Sequence, residues 1–179
     1  MADQPELRSK RLLLRPLTLR DAQTVQALAG VAAVADTTLT IPHPYPDGAA
    51  EEWIATLAPA WDTGAGVTFA ITDRELGSFV GVVSLAISAN DASAELGYWI
   101  SVPFWNRGYA TEAAQTLLDW GMVALRLDRI EARHFVRNPA SGRVLQKLGM
   151  TRDGGANKSI EKNDRLEEFT QYFLLAAEQ

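Results

Sequence analysis

The spacing of apolar residues changes period several times along the chain. Residues 11–15, Arg-Leu-Leu-Leu-Arg, form a short apolar run between charges and predict a strand. Thr18-Leu-Arg-Asp then opens a capping-box-like start, and Val25, Leu28 and Ala29 follow at helical spacing. Residues 31–47 are expected to be irregular, because Pro42, Pro44 and Pro46 each lack a donor and restrict the residue before them. Asp47 is placed to cap a second helix with Trp53, Ile54, Leu57 and Trp61 on one face, ended by Gly64 and Gly66.

A period of two follows. Residues 67–72, 79–87 and 95–102 predict three strands separated by turn residues, which is an antiparallel meander. Pro103 stops the third. Helical spacing returns from about residue 108 to 125, where Ala110, Ala113, Ala114, Leu117 and Gly121 share a side. Residues 129–136 predict a strand, residues 139–148 a helix closed by Gly149, and residues 165–175 a last strand. Antiparallel strands followed by a βαβα pattern predict an α/β (α+β) fold with a mixed sheet and helices packed on it.

At 179 residues, one domain over 1–179 is expected, with residues 1–6 disordered. No cysteine is present, which excludes thiolate catalysis and Cys-ligated zinc, and two distant histidines do not predict a metal site. No apolar run has the ~18 residues of a membrane span, so no membrane partner is expected and the localisation is expected to be cytoplasmic. The net charge of -5 argues against nucleic acid as a partner. That charge is uneven. Residues 21–102 carry ten acids against Arg74, whereas residues 126–152 carry seven bases against Asp128 and Glu131. One region suits a cationic ligand and another an anionic one, unless both are simply solvated surface.

The stretch from Glu95 to Glu112, E-L-G-Y-W-I-S-V-P-F-W-N-R-G-Y-A-T-E, is the one that carries chemistry. A strand, a short loop with Asn106 and Gly108, and a helix aim free backbone N–H groups at one point, as a phosphate site requires. Gly108 permits close approach, Ala110 keeps the first turn uncrowded, Thr111 adds a hydroxyl and Arg107 a charge. An ordinary strand-to-helix turn would look the same. This run resembles the GNAT acetyltransferases, whose pyrophosphate loop reads Gln/Arg-x-x-Gly-x-Gly/Ala. It is most similar to the ribosomal-protein (Rim-type) N-acetyltransferase branch, in Gly97-Tyr98-Trp99 and in Trp105-Asn106-Arg107-Gly108-Tyr109-Ala110-Thr111-Glu112-Ala113. Asn138-Pro139-Ala140-Ser141, continuing to Lys147-Leu148-Gly149-Met150, resembles the family's second motif. Trp105 stands where the wider family has Gln/Arg, Asn106 replaces a frequent glycine, and Met150 replaces a phenylalanine.

The resemblance implies a GNAT-type, mostly antiparallel central sheet of about seven strands flanked by about four helices. It implies acetyl transfer from acetyl-CoA, with no metal, to a primary amine by direct attack in a ternary complex. The amine is expected to be a protein or peptide N-terminal α-amine. The alternatives are a small amine (polyamine, amino acid or aminoglycoside) and a non-catalytic acyl-CoA-binding domain. A homodimer is common in the family. Glu95 is the expected general base, acting through a water, or else a strand-edge charge paired with a nearby Lys/Arg. Ser141 is the expected donor to the leaving thiolate. Asn138 either caps its helix or touches the pantetheine arm. A kink or bulge in the strand at Tyr98, Trp99 and Ile100 is expected to free an N–H for the thioester carbonyl. Cofactor contacts are expected from these three residues, from Trp105 through Thr111 including Tyr109, from Asn138 and Ser141, and from Arg143 and Lys147. Acceptor contacts are expected from His43, Tyr45 and Glu95. His134 is expected to be a packed or surface residue, and Trp53 and Trp61 core residues.

Overall fold

The computed structural model describes residues 3–163 and 165–176. Among them, nine strands form one sheet: β1 (Leu7–Arg8), β2 (Leu12–Pro16), β3 (Gly66–Asp73), β4 (Phe79–Ile87), β5 (Ser93–Ile100), β6 (Arg129–Phe135), β7 (Thr151–Arg152), β8 (Lys158–Lys162) and β9 (Arg165–Leu175). The α-helices are α1 (Ala22–Ala29), α2 (Ala32–Ala35), α3 (Ala49–Ala55), α4 (Leu57–Thr63), α5 (Tyr109–Ala124) and α6 (Pro139–Lys147). Strand order is β1-β2-β3-β4-β5-β6-β9-β7, with β8 also paired to β9. Neighbours are antiparallel except β5 and β6, which run parallel.

The period-two runs become β3, β4 and β5 in the expected meander, and the mixed sheet with helices on it is the expected fold. The extra strands β1, β7 and β8 are short or polar and carry no alternation to read. The helix expected after Asp47 is two helices, α3 and α4, meeting at Thr56. Pro59 explains the break. Its ring has no N–H for the carbonyl of Ala55 and clashes with it, so a continuous helix cannot pass. Asp47 does not cap α3: Gly48 holds that position, and the Asp47 carboxylate instead accepts from Gln26 at 2.8 Å.

Two cores flank the sheet. Leu117, Leu118 and Ala114 of α5 and Leu145 of α6 pack on one side against Phe69, Leu85, Leu96 and Ile130. Gly121 of α5 sits so close to β4 that a Cβ there would lie 2.7 Å from Leu85 Cδ1. On the other side Val25 of α1 and Ile54 of α3 pack against Val82 and Trp99. Trp53 and Trp61 are partly buried beside these cores.

The site is positioned by a failure of pairing. β5 and β6 pair only from Ser93–Arg129 to Glu95–Glu131, yet β5 runs on to Ile100 and β6 to Phe135. The two strands diverge and leave a gap in the middle of the sheet.

Candidate active site

The Ser101 N–H donates to Val80 O across the β4 ladder at 2.8 Å. Strand alternation then turns the N–H groups of Trp99 and Gly97 toward β4, and those of Tyr98 and Ile100 toward the gap. No bulge is needed. The β4–β5 register runs unbroken from Gly81–Ile100 to Ile87–Ala94, so β5 carries no bulge against β4 near Tyr98. The free donors come instead from the divergence of β6.

A cavity of about 310 Å³ lies on the side of the gap under α5 and α6. Its floor is the loop after β5. Asn106 adopts φ 59° and Gly108 φ 78°, both left-handed, which asparagine tolerates and glycine favours. α5 starts at Tyr109, so the first-turn amides of Tyr109, Ala110 and Thr111 have no acceptor within the helix. Arg143 and Lys147 reach the rim from α6. Neither forms an ion pair among the described residues.

The loop is braced from behind. Glu112 accepts from Ser9 Oγ at 2.7 Å, from the Arg11 N–H at 2.8 Å and from Arg11 Nε at 2.7 Å. Burial acts to raise the Glu112 carboxyl, but these hydrogen bonds outweigh it and hold the group below its ordinary range. Arg11 also donates to the Arg107 carbonyl at 3.0 Å and lies 4.5 Å over the Tyr109 ring. The buried Tyr109 hydroxyl donates to Asp73 at 2.9 Å.

A second cavity, of about 380 Å³, opens on the side of α1 and the 37–42 segment. Both cavities are lined by Thr37, Tyr98, Trp99 and Ser141. At this junction the Ser141 N–H donates to Asn138 Oδ1 at 3.3 Å, so Asn138 caps α6 and fixes the turn that carries Ser141. Ser141 Oγ lies 2.8 Å from the Tyr98 hydroxyl. Burial pushes the Tyr98 hydroxyl up to about 12, against a smaller downward pull from Ser141. It therefore stays protonated at neutral pH.

Residues 11–151 match the family model described as Acetyltransferase (GNAT) domain. The chain belongs to the GNAT acetyltransferase family. An uncharacterised N-acetyltransferase of Bacillus subtilis, YoaA, is 29% identical over 160 residues, covering 89% of this chain and 90% of that one. The fold is shared with RimL, a ribosomal L7/L12 α-N-protein acetyltransferase solved in complex with coenzyme A. That match has a TM-score of 0.86 at 19% identity and covers 96% of this chain and 98% of the other. It is shared too with the ribosomal-protein-S5-alanine acetyltransferase of Vibrio fischeri, with a TM-score of 0.83 at 21% identity and coverage of 96% and 97%. This GNAT chain is thus an acyltransferase of the N-acetyltransferase type.

The structure gathers the residues that the sequence marked for the cofactor around the α5–α6 cavity, with Arg107 alone outside it. The Arg107 guanidinium lies 5.7 Å from the Phe104 ring instead. Trp105 is held by its indole N–H, which donates to Ile100 O at 2.6 Å. Of the acceptor residues, Tyr45 and Glu95 line the second cavity. His43 is exposed and hydrogen-bonds the Gly30 carbonyl through Nδ1 at 2.8 Å, away from the lining. Glu95 takes the paired arrangement that the sequence left open: Arg133 Nε lies 2.8 Å from one carboxylate oxygen, and the same guanidinium donates to the other at 3.2 Å. His134 is half-buried in the cavity wall, packed so tightly on α6 that a Cβ at Gly142 would lie 2.7 Å from its Nε2.

Sequence reasoning missed the clasp over the second cavity. Arg137 donates to Asp36 Oδ2 at 2.6 Å, to Asp36 O at 2.7 Å and to Glu167 at 2.8 Å. The buried Lys162 ammonium donates to the carbonyls of Ala35 and Thr38. These contacts tie the 35–38 segment to β8 and β9. Neither Arg137 nor Lys162 stands out in the sequence, because their partners in the 35–38 segment lie more than 100 residues away.

Proposed function

We propose that this enzyme transfers the acetyl group of acetyl-CoA to a protein or peptide N-terminal α-amine, by direct attack within a ternary complex, as a single cytoplasmic domain. The observation that carries the reading is the meeting of two cavities at Tyr98, Trp99 and Ser141. One has the free amides and basic rim that suit an anion, and the other, of about 380 Å³, would receive the acceptor.

The first-turn amides of α5 would take the pyrophosphate, with Arg143 and Lys147 adding charge at the rim. The similar RimL structure holds coenzyme A, which supports this use of the cavity. Acetyl-CoA supplies an activated acyl group and a thiolate that can leave. The gap-facing N–H groups of Tyr98 and Ile100 would polarise the thioester carbonyl as negative charge develops on it. Ser141 would donate a hydrogen bond to the departing thiolate and keep its proton, with Tyr98 holding that hydroxyl in place.

Deprotonation favours an α-amine. Glu95 is engaged by Arg133, so it would act through a bound water, as a modest base. A free α-amino group has a pKa of about 7.7–8.0, which leaves roughly a fifth or more of it neutral near pH 7.4. An amine like that of lysine, near 10.4, is neutral in only about one molecule in a thousand. A modest base suits the first.

The test is a panel of N-terminal peptides and small amines incubated with acetyl-CoA and read by mass spectrometry. Acetylation confined to the α-amine of peptides is the expected result. A small amine far outpacing every peptide would replace this acceptor with the small-molecule one. Normal turnover by both Glu95→Gln and Ser141→Ala would show that the site residues are wrongly assigned.

A further inference from the structure

Of the ten acids between residues 21 and 102, Glu95 alone lines the acceptor cavity. Asp21 is held by Arg15 at 2.6 Å and Asp36 by Arg137, while Asp73 lies under the cofactor loop against Tyr109. Among the described residues, the cavity wall holds one carboxylate, Glu95, and one permanent cation, Arg133, and these two neutralise each other. Packing beside the Phe169 ring, 5.5 Å away, keeps the Arg133 guanidinium in the wall. His134 brings no negative charge. The remaining wall is aromatic and aliphatic, as at Tyr45 and Trp53, or hydroxylic, as at Thr38 and Ser84.

Within this lining no carboxylate is left uncompensated; Glu51, whose charge acts on the Tyr45 hydroxyl, lies outside it. The reacting amine sheds its proton and needs none. A second ammonium on the same acceptor would leave part of its hydration behind in a half-enclosed space and find the one carboxylate of the wall already taken. We infer that the Arg133–Glu95 pair is the specificity determinant of the acceptor site: it admits acceptors that present one amine on a neutral stem and rejects diamines and polycations. This rests on the acetyl-transfer reading above and narrows its substrate class. Arg133 thereby acts by repulsion, occupying Glu95 and adding a like charge where a second ammonium would sit.

The experiment compares initial rates at fixed acetyl-CoA for two acceptors. One is a peptide with a neutral N-terminal tripeptide, and the other is a linear aliphatic diamine. In the wild type, kcat/KM for the peptide is expected to exceed that for the diamine by at least about tenfold after correction for the neutral amine fraction. Arg133→Gln unmasks Glu95, so the ratio shifts toward the diamine by about tenfold, and the shift shrinks at high salt. Arg133→Met, which keeps the aliphatic stem beside Phe169, shifts it the same way. Equal use of both acceptors by the wild type, or an unchanged ratio in both variants, overturns the inference. No transfer to either amine, in protein whose melting temperature acetyl-CoA still raises, removes the transfer reading and this inference with it.

Discussion

Glu112→Gln removes the charge that braces the cofactor loop while keeping the shape of the side chain. The wild-type carboxylate accepts three hydrogen bonds, from Ser9 Oγ, Arg11 N and Arg11 Nε, all at 2.7–2.8 Å. Its side chain is 19% exposed and that of Arg11 41%. The glutamine oxygen can still accept from the backbone and from Ser9, but its NH₂ then faces the Arg11 guanidinium, donor against donor. A hydrogen bond to a charged group contributes about 1.5–3 kcal/mol, and the exposure of Arg11 discounts this toward the lower end. The expected loss is about 2 kcal/mol, or roughly 4–8 °C in Tm for a chain this long. The folded-state pKa of Glu112 lies below its ordinary value of 4.5. The unfolded chain therefore binds the proton more readily, so the stability is fully present above about 4.5 and fades as pH falls through the folded-state pKa. Thermal melts of both proteins from pH 3 to 8 should show a constant gap above pH 5 and a closing gap below it. Because Arg11 also holds the Arg107 carbonyl, KM for acetyl-CoA should rise several-fold in the variant. Equal melting temperatures across this range, with an unchanged KM, would refute the bracing role.

Three further perturbations test other parts of the account. Tyr98→Phe removes the hydroxyl that holds Ser141, so kcat should fall about tenfold, as for a lost hydrogen bond near 1.4 kcal/mol, with KM for acetyl-CoA little changed. A fall in binding with intact kcat would count against that role. Gly142→Ala would gain about 1 kcal/mol from helix propensity in open surroundings. Here the new Cβ lies 2.7 Å from His134 Nε2, so a net loss of about 1–2 kcal/mol is expected in denaturant melts, and a gain would show that the imidazole moves freely. Lys162→Met leaves the carbonyls of Ala35 and Thr38 without their donor. KM for the acceptor should rise while KM for acetyl-CoA stays constant, and the reverse pattern would detach the clasp from the acceptor cavity.

The strand–loop–helix from Glu95 to Glu112 is legible in the sequence because its signals are local. Alternation marks the strand, Asn106 and Gly108 mark left-handed turn positions, and helical spacing resumes at once. The Asn138 cap and the Gly149 stop are legible for the same reason. The break between α3 and α4 is present in the sequence as Pro59, a signal outweighed by the apolar face running through it. The gap between β5 and β6 is not legible, because it depends on where two strands stop pairing and not on the residues of either. An expected bulge at Tyr98 stands in for it and is wrong in place though right in consequence, since free N–H groups are produced. The Arg133–Glu95 pair is only half legible, as a strand-edge charge with an unnamed partner. The Arg137–Asp36 contact joins residues 101 apart and leaves no trace in composition or period.

A crystal structure of the protein with acetyl-CoA would show whether the two cavities work together. The pyrophosphate is expected on the first-turn amides of α5, the thioester carbonyl within hydrogen-bond reach of a Tyr98 or Ile100 N–H, and the sulfur beside Ser141 Oγ where the two cavities meet. A thioester lying away from that junction, or a pyrophosphate bound elsewhere on the surface, would contradict this arrangement.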